Sequence, residues 1–130
     1  AIADGTIDVL ASGHDPRGPE DKRLPFSDAE PGMAGAETLL AMTLSLVRDD
    51  VIDLPRAFDL VARRPAEILG VPAGVLKPGL EADIAIVDPE RPWVIQSAKM
   101  EASAGNTPFD GQPTQGRVTR LFKGGVAIKR

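Results

Sequence analysis

The side chains able to do chemistry are few, and the densest set is His14-Asp15-Pro16-Arg17. His14 is the only histidine of the chain, and cysteine is absent. Thiolate catalysis, disulfide frameworks and cysteine metal sites are thereby excluded. A lone imidazole cannot assemble a zinc centre without at least two more protein ligands, so these residues alone are expected to hold no metal. Asp15 stands directly before Pro16, where an aspartate readily closes a turn. Glu20-Asp21-Lys22-Arg23 and Arg63-Arg64 read as charge clusters facing water. Trp93 lies beside Pro92 on a strand and reads as core.

The elements that must position these residues change character along the chain. Residues 6–12 (TIDVLAS) are nearly all apolar or small, which suits a buried parallel strand. Residues 13–32 are dense in Pro, Gly and charge and carry no period, the texture of a functional or disordered loop. From Gly35 the pattern turns helical: Leu40, Leu44 and Val47 fall at i, i+4 and i+7, widened by Leu39 and Met42. Asp53 is a good N-cap, with Pro55 tolerable in the first turn of a helix bearing Ala57, Phe58, Leu60 and Val61. Arg63-Arg64-Pro65 should break that helix, and a short one should follow, ending at Gly70.

Beyond residue 72 the expectation is all-β. Strands are predicted at 82–87 and 93–96, with a Pro-bounded turn between them. Residues 97–116 read as aperiodic loop, and 117–122 with 126–129 as a hairpin across Lys123-Gly124-Gly125. Two parts result: 1–72, one strand with helices, and 73–130, a few short strands. Neither closes by itself, because a lone parallel strand has nothing to pair with and the β part is too small for a sandwich. Both are expected to pack against further chain.

Bulk properties exclude several function classes. The chain has 130 residues, 42% hydrophobic and 26% charged, with net charge −4. That balance is globular, and without a basic run it offers no attraction to nucleic acid. The longest apolar stretch, 34–47, is interrupted by Gly35, Glu37, Thr38, Thr43 and Ser45. It is too short and polar to span a membrane. Absence of cysteine suits a reducing cytosol, so a cytoplasmic location is expected. The chain begins without methionine, basic n-region or apolar h-region. It reads as a piece of something longer.

Several blocks resemble the dihydroorotases of the amidohydrolase superfamily. Asp8-Val9-Leu10-Ala11-Ser12-Gly13-His14-Asp15-Pro16, then Lys22, Pro25-Phe26 and Pro31-Gly32-Met33-Ala34-Gly35-Ala36-Glu37-Thr38, are similar to the end of that family's catalytic barrel. Arg64-Pro65-Ala66-Glu67-Ile68-Leu69-Gly70 resembles its NPA-x-I/L-G helix. The block from Gly74 to Asp88 resembles the strand opening the superfamily's C-terminal β segment. Asn106-Thr107-Pro108-Phe109-Asp110-Gly111 is similar to the late loop of the dihydroorotase branch.

The resemblance implies an α/β fold: the last strand and helices of a metal-dependent (β/α)8 barrel (1–72), plus the C-terminal strands of its flanking small β-sandwich (73–130). It implies a cyclic amidohydrolase of pyrimidine biosynthesis that interconverts N-carbamoyl-L-aspartate and dihydroorotate. Zn2+ in the complete parent would be held by ligands from earlier strands. The remainder of the barrel and a homo-oligomeric assembly are the implied partners, beside the small-molecule substrate.

The family's last strand ends in a catalytic aspartate followed by His-Ala-Pro-His. That slot is Gly13 here, which has neither ligand nor base, so no catalytic residue is assigned. His14 matches a family histidine that is not the key metal ligand, and a structural role is expected. Arg17 replaces the histidine that helps bind the substrate carboxylate, and a guanidinium can grip the same group. Pro31 and Gly32 fall where the family offers backbone contacts to the substrate ring, with glycine permitting close approach. The alternative is a non-catalytic dihydroorotase-like subunit supporting aspartate transcarbamoylase, which the resemblance includes and Gly13 favours.

Overall fold

The computed structural model describes residues 1–128. After a single turn of helix, α1 (Pro19–Lys22), the principal helix is α2 (Leu39–Arg48). Its inward face carries Ala41, Thr43 and Leu44, all buried. Thr43 stays in register by donating its hydroxyl to the Leu39 carbonyl at 2.8 Å, which satisfies a polar group that burial would otherwise penalise. Asp50, at φ +54, turns the chain after the helix.

The next helical run is continuous, against expectation. α3 (Leu54–Phe58) starts at Asp53, whose carboxylate accepts the Arg56 N–H at 2.8 Å, as its sequence position implied. It passes through a π turn, Asp59–Arg63, straight into α4 (Arg64–Leu69). Arg64 N–H reaches back to Asp59 O, five residues away. This wider turn sets Pro65 at the start of a fresh α segment, where a missing N–H costs nothing. The expected break is therefore a bulge. Arg63 clamps it, bonding Asp59 at 2.5 and 2.6 Å and Glu67 at 2.6 Å. Gly70, left-handed at φ +66, ends the run.

Residues 6–12 form no ladder, because the described residues supply no neighbouring strand there. The segment lies on the α3–α4 run instead. Leu10 N–H donates to Leu60 O at 3.0 Å, Arg56 to Ile7 O at 2.7 Å, and Arg64 to Asp8 at 2.8 Å. Just beyond it, an isolated parallel bridge pairs His14 with Met33.

The β part is a three-stranded antiparallel sheet in the order β1 (Ile84–Val94), β2 (Pro113–Lys123), β3 (Val126–Ile128). The two strands predicted around Pro89 are one, since a register irregularity between Asp88 and Pro92 absorbs the proline. β2 starts earlier than predicted, pairing Thr114 with Trp93. Gly124 and Gly125, at φ +56 and +81, make the tight turn into β3. Position 129 of the predicted hairpin lies outside the described residues.

Helix α2 packs on β2, joining the parts on either side of residue 72. The fit is close: a Cβ on Gly116 would come within 2.4 Å of Leu44 Cδ1. The core is small, centred on Leu44, Leu60 and Ile95, each 2% exposed or less. Trp93 is half-buried rather than core. Its Nε1 donates to Gly116 O at 3.0 Å, and the Arg117 guanidinium stacks 4.4 Å from its ring centroid.

Candidate functional site

Three segments remote in sequence meet at one place: residues 12–17, residues 31–36, and the loop around Asn106. His14 orders the first pair. Its Nδ1 accepts the backbone N–H groups of Gly35 and Ala36 at 3.2 and 3.1 Å. The imidazole thus carries its proton on Nε2 and serves the start of the turn leading into α2, as a capping side chain does. Gly35 is pressed so close that a Cβ would lie 2.4 Å from Ser12 O. Through these bonds His14 holds the backbone of residues 35 and 36 against the end of the 6–12 segment.

Arg17 is held from three sides. Its backbone N–H donates to Asn106 Oδ1 at 2.7 Å, Nε donates to Pro31 O at 3.0 Å, and Nη2 pairs with Asp15 Oδ2 at 2.8 Å. The edge of the guanidinium formed by Nε and Nη2 is thus committed within the chain. Nη1 has no partner among the described residues, so the end-on edge, Nη1 with Nη2, is what Arg17 can offer an anion. Asp15 also lies over Gly32, where a Cβ would sit 2.5 Å from Asp15 O and 2.8 Å from Oδ2. Gly32, at φ +117, is therefore required by both conformation and contact.

The residues singled out by sequence thus adjoin: Arg17 bonds Pro31 directly, and Asp15 covers Gly32. The carbonyls of Pro31 and Gly32 each accept one internal bond, from Arg17 and from Asn106 Nδ2 at 3.0 Å. Gly32 N–H has no partner among the described residues. Gly13 has φ +55, and a Cβ there would meet nothing within 4 Å. Sequence reasoning missed two contributors. Asn106 ties the site together, and its position within the Asn-Thr-Pro-Phe block was the available signal. Glu37 accepts the N–H groups of Glu101 and Ala102 at 2.8 and 3.3 Å, fastening the late loop to the start of α2.

Beneath these loops runs an open apolar groove of about 240 Å3, lined by Leu10, Met33, Leu39, Met42, Leu46 and Phe109 among others. Among the described residues no three His, Asp or Glu side chains converge as metal ligands do, and His14 Nδ1 is already engaged. These residues do not by themselves fit a zinc ion. Several carboxylates are perturbed by their hydrogen-bond partners. Hydrogen bonding by Arg63 holds Asp59 below the ordinary carboxylate range, Arg64 and Arg63 do so for Glu67, and Lys123 does so for Asp83. Asp110 is lowered by the Ser97 backbone N–H, which it accepts at 2.7 Å.

Residues 2–128 match the Amidohydrolase family, and the chain belongs to it. It is 39% identical over 128 residues to a dihydroorotase of Geobacter metallireducens, covering 98% of this chain and 30% of that protein. A dihydroorotase of Citrifermentans bemidjiense is 40% identical over 129 residues, with the same coverage of 98% and 30%. The L-hydantoinase (dihydropyrimidinase) from Arthrobacter aurescens superposes with a TM-score of 0.90 at 29% identity, over 99% of this chain and 30% of that one. The chain therefore has part of the amidohydrolase fold and spans about 30% of the length of the curated relatives it matches.

Proposed function

We propose that the chain is the C-terminal part of a dihydroorotase-like cyclic amidohydrolase. The whole protein would interconvert N-carbamoyl-L-aspartate and dihydroorotate in pyrimidine biosynthesis. Residues 1–72 are read as the final strand and helices of a (β/α)8 barrel, and 73–130 as strands of its flanking β-sandwich. The observation that carries this reading is the convergence of Arg17, Pro31, Gly32 and Asn106 in a chain 39% identical to a protein named dihydroorotase. In it, the end-on edge of Arg17 receives the substrate carboxylate, and the Pro31–Gly32 backbone, with its unengaged Gly32 N–H, borders the ring. Zn2+, which the dihydroorotase resemblance implies, would have to be held by chain outside these residues. The implied partners are the rest of the barrel and further copies of the protein, in the cytoplasm; among the described residues no helix is long and apolar enough to cross a membrane.

Gly13 supports a second reading. With glycine in the slot of the aspartate that the resemblance expects, the whole protein would be a non-catalytic dihydroorotase-like subunit supporting aspartate transcarbamoylase. Hydrolysis of dihydroorotate by the whole protein, supplied with zinc, decides between them. Turnover with KM raised by Arg17→Ala is the expected result. A folded, zinc-loaded protein without turnover that forms a stable complex with aspartate transcarbamoylase would replace the first reading with the second.

A further inference from the structure

The loop around Asn106 belongs by sequence to the β part, yet its one asparagine is bonded entirely to the other side of the site. Asn106 Oδ1 accepts Arg17 N–H at 2.7 Å, Nδ2 donates to Gly32 O at 3.0 Å, and its backbone carbonyl accepts Ala34 N–H at 2.9 Å. The side-chain partners lie 89 and 74 residues away in sequence. They also fix which way the amide points. A backbone N–H can only donate and a carbonyl can only accept, so a flipped amide would oppose like groups at both ends.

The loop does not need this amide for its own shape. Asp110 accepts Ser97 N–H, and Gly111 N–H donates to Ile95 O at 2.8 Å, which closes the base of the loop. Glu37 holds residues 101 and 102 from α2. Phe109 lies in the apolar groove, and Gly105 is pressed so closely against Ser97 O that a Cβ would come within 2.6 Å. With base, middle and aromatic anchor secured by other groups, the two side-chain bonds of Asn106 act on what they reach: the backbone carrying Arg17 and the Gly32 carbonyl.

We propose that Asn106 is a positioning residue for the anion-binding arginine, setting the spacing between the Arg17 backbone and the Pro31–Ala34 segment. This rests on the reading of Arg17 as the substrate-facing cation. Arg17 Nε bonds Pro31 O, so the guanidinium spans the same gap that the Asn106 amide holds open. Releasing the amide lets both ends of that span move together, and the free edge of the guanidinium loses its aim.

The test uses the whole protein with Asn106→Ala, Asn106→Asp and Arg17→Ala, measuring dihydroorotate affinity by calorimetry, amide hydrogen exchange and thermal unfolding. Asn106→Ala should speed exchange at the Arg17 amide roughly tenfold, the effect of losing one hydrogen bond. The Ala34 amide, held by the backbone carbonyl, should stay protected. Asn106→Asp keeps the acceptor, so Arg17 stays protected, but it sets a carboxylate against the Gly32 carbonyl. Both variants should weaken dihydroorotate binding roughly tenfold with little change in Tm. Wild-type exchange at Arg17 together with wild-type affinity in Asn106→Ala overturns the proposal. So does a loss of protection at Ala34 with a large fall in Tm, which would mark a purely structural role. If Arg17→Ala leaves affinity unchanged, the functional reading of Arg17 fails, while exchange at Arg17 still reports whether Asn106 positions it.

Discussion

Replacing Gly32 with alanine adds one methyl group at the most crowded point of the site. Two costs combine. The backbone at φ +117 is one that L side chains rarely adopt, which costs about 1–3 kcal/mol. The new Cβ would also lie 2.5 Å from Asp15 O and 2.8 Å from Asp15 Oδ2. The carboxylate could swing away, but the carbonyl could not follow cheaply, because the same residue's N–H is bonded to Met33 O at 2.8 Å. Overpacking of this kind costs about 1–3 kcal/mol, so the substitution should destabilise the site by about 2–6 kcal/mol in all. Gly13→Ala is the matched control, since φ is +55 and nothing lies within 4 Å of the added methyl. Only the backbone cost remains there, about 1–2 kcal/mol. Thermal and urea unfolding of the whole protein should show Gly32→Ala losing distinctly more stability than Gly13→Ala, accompanied by weakened dihydroorotate binding. Equal tolerance of the two would refute the claim that Asp15 is packed against Gly32.

Other outcomes follow from the same geometry. His14→Ala removes the acceptor for two backbone N–H groups and should cost about 0.5–2 kcal/mol, as loss of a cap does; protection of the Gly35 and Ala36 amides reports it directly. Leu60→Ala, at a fully buried position, should cost about 2–5 kcal/mol in denaturant unfolding, and a smaller loss would mean the helical run is not anchored there. Asp59 and Glu67 have folded pKa values below their ordinary ones. The stability they contribute is therefore present above the ordinary carboxylate range and fades as pH falls through the lowered values. Arg63→Gln should flatten that acid dependence of Tm, and an unchanged profile would show that the clamp around the π turn contributes nothing.

Local features were legible in the sequence wherever one side chain acts on its own neighbourhood. Asp53 caps α3 because its carboxylate lies within reach of the first-turn N–H groups. Gly70 ends α4 because only a residue free of Cβ strain turns left-handed at so little cost. The Gly124-Gly125 turn follows for the same reason. Two prolines misled, both in the same direction. Pro65 predicted a break and Pro89 a gap between strands, yet a π turn and a strand irregularity accommodate them. Both are choices made by packing around the proline, and no pattern of residues records them. Residues 6–12 carry the composition of a buried strand, but a strand exists only with a neighbour to bond, and the described residues provide none.

The site divides along the same line. Sequence alone determined its ingredients: one histidine, no cysteine, a glycine at position 13, and the resemblance that singled out Arg17, Pro31 and Gly32. It determined the family too, because the blocks that carry it are local. Tertiary structure alone decided how those residues are spent. His14 turns its Nδ1 to the backbone of residues 35 and 36, Arg17 gives one edge to Asp15 and Pro31, and Asn106 crosses from the far loop to join them. Apart from the Arg17–Asp15 pair, two residues apart, those bonds connect positions 14 to 89 residues apart. Hydrogen bonds depend on separation in space, and folding alone sets that separation for residues so distant along the chain.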